Sequence, residues 1–111
     1  MEVFFRSRKF QKLCNSESAM LCELGKKQAT KLKTRLMELR AADHLGQIPT
    51  VPPPRCHELS GDRKGQLSVD LDHPYRLLFI PANDPVPLKP DGGLDRPAVT
   101  AVEILEIADT H

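Results

Sequence analysis

Apolar and polar positions divide the chain into a helical first part and a strand-rich second part. Residues 3–5 form a short apolar run that predicts a first strand, and a short helix is expected over residues 7–13. Over residues 17–42 leucines recur at about the 3.6-residue period of a helix, which predicts one long helix with one buried stripe. Ser16 is its expected N-cap, and Gly25 is where it should kink or break. The stripe consists of Leu21, Leu24, Leu32, Leu36 and Leu39.

The second part of the chain carries patterns that are typical of strands. Residues 48–54 contain four prolines and form an extended connector. Residues 55–59 predict the next strand, and the alternation over residues 66–71 predicts a half-buried one. The nearly continuous apolar run at residues 75–80 predicts a central strand that is covered on both faces. Residues 99–108 return to a strand pattern and predict the last strand.

A long irregular segment interrupts the strands at residues 81–97, which contain five prolines and two adjacent glycines. Segments of this length between strands are usually functional or mobile. One strand, two helices and four further strands predict an α+β domain, with the helices packed on one face of a mainly antiparallel sheet. The opposite face, or its rim, is then free to form a cleft. A chain of 111 residues has the size of one domain, and we expect residues 1–111 to form it.

The formal net charge of +1 conceals a strong asymmetry along the chain. Residues 1–42 carry ten lysines and arginines against four acids, so the remainder carries the compensating acidic excess. A positive face of this kind could bind nucleic acid or an acidic partner, and the alternative is a solvated, lysine-rich helix surface. Charge alone does not decide between these two interpretations.

The cellular setting follows from what the chain lacks. No apolar run reaches the roughly 18 residues of a membrane helix, and the first residues do not form a signal-type stretch, so we expect a cytoplasmic protein without membrane contact. Cys14, Cys22 and Cys56 have no metal-type spacing, and we expect them to be reduced and to act as small apolar fillers. No metal site is predicted.

Arg76 is the most informative single residue because it interrupts the apolar run at residues 75–80. A guanidinium is almost never buried without a partner. Arg76 is therefore expected either to face a cleft and bind an anion, or to form a buried ion pair with an acid such as Asp70 or Glu103. Both interpretations remain open at this point.

Several other residues of the strand half are of the types that RNA cleavage requires. A ribose 2′-OH can attack the neighbouring phosphate if a base removes its proton and an acid protonates the leaving oxygen, and histidine suits both roles near neutral pH. Fixed cations stabilise the negative charge that builds up on the phosphate. His57 and His111 are the candidate histidines, although a structural role is open for each. The candidate phosphate-binding cations are Arg55, Arg63, Lys64 and Arg76.

Three motifs together resemble one family. Residues 54–69, PRCHELSGDRKGQLSV, resemble the central motif of HigB-type killer proteins, in which a histidine and a leucine lead into a "GDR-x-G" loop and a strand. Residues 74–79, PYRLLF, look like the family's "x-[WY]-R-[IL]-x-F" strand. Residues 107–111, IADTH, are similar to its closing "D-Y-H". By this resemblance, which covers essentially the whole chain, the protein is identified as a member of the RelE/ParE toxin superfamily.

The resemblance implies a RelE-like fold with two N-terminal helices packed on a twisted, mainly antiparallel sheet. It implies cleavage of mRNA in the ribosomal A site without a metal or other cofactor. It also implies neutralisation by a HigA-like helix-turn-helix antitoxin. The positions that match the family's active site are His57, Arg76, Asp109 and His111.

Two positions depart from the family pattern and keep other functions open. Ser60 stands where HigB-type enzymes often have a lysine, and Thr110 stands where they often have a tyrosine. Either Arg63 and Lys64 compensate, or the nuclease activity is altered or lost. The alternatives are a non-enzymatic toxin similar to the ParE branch, which inhibits DNA gyrase, and a degenerate toxin that is retained as a binding module.

Overall fold

The computed structural model describes residues 1–110, so the prediction for His111 lies outside the described residues. The order of elements confirms an α+β fold in which one strand and two helices precede four strands. The elements are β1 (Glu2–Phe5), α1 (Arg8–Cys14), α2 (Glu17–Ala41), β2 (His57–Glu58), β3 (Leu67–Asp70), β4 (Tyr75–Pro81) and β5 (Ala101–Asp109).

Serine caps start both helices. The Oγ atom of Ser7 accepts a hydrogen bond from the backbone N–H of Phe10 at 3.1 Å, at the start of α1. The Oγ atom of Ser16 accepts one from the N–H of Ala19 at 3.2 Å, which confirms the predicted N-cap of α2. Gly25 adopts φ 80° and ψ 166° inside α2, so the helix is interrupted there as predicted.

The break at Gly25 also explains where the predicted leucine stripe fails. Leu32, Leu36 and Leu39 are all buried in the core, as predicted. Leu21, which precedes the break, is 53% exposed, and its neighbour Met20 is buried instead. The prediction for Leu21 is wrong because a single helical period cannot be carried across a residue with non-helical dihedral angles.

The five strands form one sheet in the order β1-β5-β4-β3-β2. The pairs are antiparallel except β1 with β5, which is parallel. β4 lies in the middle, and Leu77, Leu78 and Phe79 are fully buried, which confirms a central strand covered on both faces. β2 is shorter than predicted. Arg55 adopts φ 46°, outside the extended region, so the strand cannot begin there.

Alternation along the strands separates the two faces of the sheet. Leu77 and Phe79 of β4 belong to the core that the helices cover. Successive side chains of a strand point to opposite faces, so Arg76 and Leu78 lie on the other face. We call this second face, which also carries Ser68 of β3, the site face. The register places His57 opposite Ser68 and, one strand further, Ser68 opposite Leu78.

The irregular segment predicted at residues 81–97 lies between β4 and β5 and has a defined conformation. We call the residues between these two strands the 82–100 segment. Leu88 and Leu94 form an isolated antiparallel bridge, and the N–H of Lys89 donates to the carbonyl oxygen of Gly93 at 2.7 Å. A short 3-10 turn follows at Arg96–Ala98. The segment therefore has a defined position beside the sheet and is able to build part of a binding surface.

The cysteines are free thiols in two different environments. Cys14 and Cys56 are buried, as predicted, and burial raises the pKa of each thiol to about 11. Cys22 is exposed on α2, so the prediction that it fills a buried position is wrong. Like Leu21, it precedes Gly25 and lies outside the buried stripe.

The basic residues of the first part lie mostly on the helical side of the protein. Of the ten, nine are exposed, and Arg35 is buried. The Arg35 Nε atom donates to the backbone oxygen of Asp70 at 2.8 Å, so this arginine joins α2 to β3. Arg35 is thus a structural residue, not part of a positive surface.

Within residues 1–110, every helix is too short or too polar to cross a lipid bilayer.

Candidate functional site

His57 and Arg76 meet on the site face although their strands do not pair. β3 lies between β2 and β4, and its residues Ser68 and Asp70 stand opposite His57 and Arg76, respectively. The long Arg76 side chain crosses this gap and brings its Nη1 atom to 3.4 Å from His57 Nε2. The Arg76 side chain is only 11% exposed. The register of three strands thus joins two residues that are 19 positions apart.

The two ring nitrogens of His57 face different groups. Nε2 lies 3.4 Å from Arg76 Nη1, and because a guanidinium can only donate, this contact is a hydrogen bond only when Nε2 is the acceptor. Nδ1 lies 3.2 Å from the carbonyl oxygen of Arg55, and Ser68 Oγ lies 3.5 Å from the same nitrogen. Both contacts fit the neutral tautomer in which Nδ1 carries the proton and Nε2 faces Arg76.

Asp70 holds two arginines at once. Its carboxylate accepts from Arg55 Nε at 2.8 Å and from Arg55 Nη2 at 3.1 Å, a two-point contact. Arg76 Nε lies 3.5 Å from the same carboxylate. The hydrogen bond to Asp70 raises the pKa of the Arg55 guanidinium. Asp70 therefore links the guanidiniums of Arg55 and Arg76 beside His57.

The two interpretations of Arg76 that the sequence left open both apply in part. Arg76 forms the predicted ion pair with Asp70, and it also lines a cleft. Glu103, the other acid considered, pairs instead with Arg6, whose Nε lies 3.0 Å from the Glu103 carboxylate. Arg76 is therefore a partly neutralised cation at the wall of a cavity.

The cleft beside His57 has a volume of about 280 Å³. We call it the His57 cleft. Thr110, the residue after β5, lines it, and its hydroxyl oxygen is buried without a hydrogen-bond partner among the described residues. Arg63, from the 3-10 turn Gly61–Arg63, supplies a second cation. The residues that line the cleft are His57, Glu58, Leu59, Ser60, Arg63, Arg76 and Thr110.

The remaining site residues predicted from the sequence lie at other positions. Arg55 reaches Asp70 and does not line the cleft. Lys64 lines a separate, larger groove. Asp109 ends β5 opposite Tyr75, one position from the Ala108 that pairs with Arg76, and it does not line the cleft either. His111 lies outside the described residues.

Sequence reasoning missed an acidic residue at the cleft. Glu58 lines it next to His57, and Arg96 Nη2 lies 3.9 Å from the Glu58 carboxylate. Arg96 also donates to the carbonyl oxygen of Cys56 at 3.5 Å. The position of Glu58 next to His57 was a possible signal, but the approach of Arg96 depends on the path of the 82–100 segment.

A larger groove adjoins the His57 cleft on the other side of the loop after β2. It has a volume of about 740 Å³ and lies between that loop, the sheet and the 82–100 segment. We call it the insertion groove. Glu58, Leu59 and Ser60 line both cavities, so the two are neighbours.

Within residues 1–110, His, Cys, Asp and Glu side chains form no cluster of three or more that could hold a metal ion.

Comparison with known proteins supports the fold and gives no information on the activity or the site residues. No protein-family model matches the chain, and no curated protein matches it. Among solved structures, it is similar to a "YoeB/ParE toxin from Agrobacterium tumefaciens", with a TM-score of 0.58, 9% identity and coverage of 100% of both chains. At this identity the likeness shows the fold alone. The predicted RelE-like α+β fold is therefore confirmed.

Proposed function

We propose that this chain is the toxin of a type II toxin–antitoxin pair and that it cleaves mRNA on the ribosome. The observation that carries the proposal is the contact between Arg76 and the Nε2 atom of His57 at the wall of a cleft. A base and a phosphate-binding cation are the two groups that 2′-OH attack on a phosphate requires. The toxin-like fold and the three sequence motifs support the same function.

In the proposed reaction His57 Nε2 removes the proton from the ribose 2′-OH. The oxygen then attacks the adjacent phosphate, and the bond from phosphorus to the 5′-oxygen of the next nucleotide breaks. Arg76 and Arg63 bind the phosphate and stabilise the charge of the transition state. Before this step Arg76 turns from His57 towards the phosphate, which frees Nε2 to accept the proton. The 3.4 Å separation is long for a hydrogen bond, so this exchange breaks a weak contact.

The remaining predicted residues take supporting or open roles in this proposal. Arg55 acts through Asp70, which it shares with Arg76. Asp109 and His111 are proposed to supply the acid that protonates the leaving 5′-oxygen, a role that rests on the resemblance. Lys64 is proposed to bind RNA outside the His57 cleft. No metal or cofactor is needed for this chemistry.

The proposed partner, substrate and location rest on the sequence resemblance. We propose a HigA-like helix-turn-helix antitoxin as the neutralising partner, mRNA on the ribosome as the substrate and the cytoplasm as the location. The basic helical surface lies away from the site face and is separate from the cleft. A contribution of these side chains to ribosome binding is not required by the chemistry proposed for the cleft.

The test is cleavage of a translated mRNA by the purified chain, with cuts mapped by primer extension. We expect the wild type to cut and Arg76→Ala to cut at least about 100-fold more slowly, as when one transition-state donor is removed. His57→Ala should show a similar loss. The matched control, Arg8→Ala, changes an exposed position that does not line the cleft, and it should cut like the wild type.

Two outcomes would contradict the proposal. One is an Arg76→Ala variant that cuts at the wild-type rate. The other is a wild-type chain that leaves translated mRNA intact. If that wild-type chain also inhibits supercoiling by DNA gyrase, the ParE-like alternative replaces the nuclease. If it has no effect on either process and is harmless when expressed without its partner, the binding-module alternative does.

A further inference from the structure

Arg96 contacts the residues on both sides of His57 in the sequence. Its Nη1 atom donates to the carbonyl oxygen of Cys56 at 3.5 Å, and its Nη2 atom lies 3.9 Å from the Glu58 carboxylate. The Arg96 side chain is 21% exposed, so most of it is enclosed by protein. One guanidinium from the 82–100 segment thus bridges positions 56 and 58 of the strand that carries His57.

β2 depends on support of this kind because it is a two-residue strand at the edge of the sheet. It pairs with β3 alone, through His57 opposite Ser68 and Glu58 opposite Leu67. A short edge strand opens locally more easily than a central strand, because few contacts have to break. The position of the His57 ring therefore depends on contacts that β2 makes outside the sheet.

The backbone of Cys56 bonds to groups outside the sheet. Its N–H donates to the carbonyl oxygen of Pro49 at 3.0 Å, and its carbonyl oxygen accepts from Arg96. The Cys56 side chain is fully buried in the core, so this residue is a fixed point next to His57. Removing the Arg96 side chain would take away one of the contacts that fix it.

Arg96 is itself held by the turn that carries it. The N–H of Val99 donates to the carbonyl oxygen of Arg96 at 3.1 Å, and the N–H of Leu45 donates to the carbonyl oxygen of Val99 at 2.9 Å. At the end of the 82–100 segment, Asn83 Oδ1 accepts from the N–H of Thr100 at 2.9 Å. A side chain on a fixed backbone can hold other residues in place precisely enough to support a site.

Arg96 does not line the His57 cleft. Its terminal nitrogens are directed at Cys56 and Glu58, so binding a phosphate in the cleft would require it to leave both. This separates Arg96 from Arg63 and Arg76, which line the cleft wall. A role through the position of β2 fits these contacts better than a role in direct contact with RNA.

We propose that Arg96 is a positioning residue for His57. It holds β2 at Cys56 and at Glu58, so that the imidazole keeps its place beside Arg76 at the wall of the cleft. Arg96 acts through the position of the strand and not through contact with the RNA. This inference rests on the proposed function, because the rate of cleavage depends on the position of His57 only if His57 is the base.

The first measurement is amide hydrogen exchange, which does not depend on cleavage. The N–H of Cys56 bonds to Pro49, and the N–H of Leu59 bonds to the carbonyl oxygen of Gln66 at 2.9 Å, so these two amides report on the two ends of β2. We expect Arg96→Ala to accelerate the exchange of both by about fivefold or more. The amides of the central strand β4 should exchange as in the wild type.

The second measurement separates positioning from RNA binding. Cleavage of a defined mRNA is followed over a range of ribosome concentrations, which gives kcat and KM. We expect Arg96→Ala to lower kcat by about tenfold or more and to leave KM within about twofold, because a displaced base slows the chemical step without removing an RNA contact. An arginine that binds a phosphate would instead raise KM and reduce the dependence of binding on salt.

Lys89→Ala is the matched control. Lys89 belongs to the same segment, its ion pair with Asp91 has the same length of 3.9 Å, and it lines neither cavity beside β2. It should keep wild-type exchange rates and wild-type kcat. Arg96→Lys keeps the charge but lacks the planar fork that reaches both partners, so its exchange rates and kcat should lie between those of the wild type and Arg96→Ala.

Glu58→Gln removes only the ion pair and leaves the Arg96 contact to the Cys56 carbonyl oxygen. It should therefore change exchange and kcat in the same direction as Arg96→Ala, and by less. If Arg96→Ala does not fold, Glu58→Gln and Arg96→Lys carry the same comparison.

The outcomes separate this inference from the proposed function. Wild-type exchange of Cys56 and Leu59 in Arg96→Ala, or a raised KM with unchanged kcat, would show that Arg96 does not position His57. An equal loss of kcat in Lys89→Ala would also contradict the inference, because removing any cation of the segment would then have the same effect. If exchange rises as expected but the wild type never cuts translated mRNA, Arg96 holds β2 and the nuclease proposal alone fails.

Discussion

The Nη1 atom of Arg76 lies 3.4 Å from the Nε2 atom of His57, across the intervening strand β3. The pair is already assembled without RNA. Asp70 holds Arg76 from one side, and the carbonyl oxygen of Arg55 holds the other ring nitrogen of His57. The base and the cation are therefore held next to the proposed phosphate site, and only the Arg76 side chain has to turn before the reaction begins.

Arg76→Lys tests whether geometry or charge alone matters at this position. The planar guanidinium contacts Asp70 and His57 from two different nitrogens, which a single ammonium cannot do. We expect the variant to fold normally and to cut translated mRNA at least about tenfold more slowly than the wild type in primer extension. Wild-type rates in Arg76→Lys would show that a positive charge without fixed geometry is enough.

Asp70→Asn tests the carboxylate that Arg55 and Arg76 share. The change keeps the shape of the side chain but removes the charge that orients both guanidiniums. The ion pair of Arg55 with Asp70 is partly exposed. We therefore expect the free energy of unfolding, measured with urea, to fall by about 1 kcal/mol. We expect a larger relative loss in the cleavage rate, about tenfold or more, because Asp70 then no longer orients the Arg76 guanidinium.

Asp72→Asn is the matched control for Asp70→Asn. Asp72 pairs with Lys31 at 3.4 Å on the exposed surface, and neither residue lines the cleft. An exposed pair of this kind contributes little, so stability should change by less than about 0.5 kcal/mol and cleavage should not change. If both variants lose activity equally, a general effect of removing an acid, and not the positioning of Arg76, would explain the result.

The thiols should react according to their burial. Cys22 is exposed, and Cys14 and Cys56 are buried with their pKa values raised to about 11. At pH 8 the native chain should therefore incorporate one equivalent of iodoacetamide, at Cys22, as measured by mass spectrometry. All three thiols should react in urea. Labelling of Cys56 in the native chain would contradict the burial described here.

The same two buried thiols should make the free energy of unfolding decrease at alkaline pH. The pKa values of Cys14 and Cys56 are raised from 9.0 to about 11, so the unfolded state loses these protons first. Their contribution to stability is present below pH 9 and is lost as the pH rises through about 11. Replacing Cys14 with alanine should reduce the slope of the free energy of unfolding against pH in this window.

Whether Gly25→Ala stabilises or destabilises the protein depends on whether the helix is broken at this residue. In a continuous helix alanine would stabilise by about 1 kcal/mol relative to glycine. At φ 80° and ψ 166°, however, an L-residue is strained, so we expect destabilisation of about 1–3 kcal/mol in urea unfolding. A more stable Gly25→Ala variant would contradict the break.

Local signals in the sequence predict much of this fold. The serine cap at Ser16 and the break at Gly25 depend on neighbouring residues, so they could be identified from the chain alone. The alternation around Val69 and the apolar run around Leu78 give the two strands that carry Asp70 and Arg76. The prediction for Leu21 is wrong because the non-helical dihedral angles of Gly25 change the helical phase between Leu21 and Leu32.

The site depends more on contacts between distant parts of the chain. Arg35 lies on α2 and binds the backbone of Asp70, a contact set by how the helix docks on the sheet. Arg63 and Lys64 are adjacent, yet they line different cavities, because the loop that carries them forms the border between the two. Residue type suggested a phosphate contact for both. The direction of each side chain follows only from the folded loop.

The most direct test of the central claim is the chemistry of the RNA ends that the chain produces. An mRNA cut by the wild type on ribosomes should carry a 5′-hydroxyl on the downstream fragment and a 2′,3′-cyclic phosphate or 3′-phosphate on the upstream one. A single 2′-deoxynucleotide immediately before the mapped cut should abolish cleavage there, because the attacking oxygen is absent. A 5′-phosphate on the downstream fragment, or undiminished cutting after the 2′-deoxynucleotide, would contradict a site in which His57 activates the ribose hydroxyl.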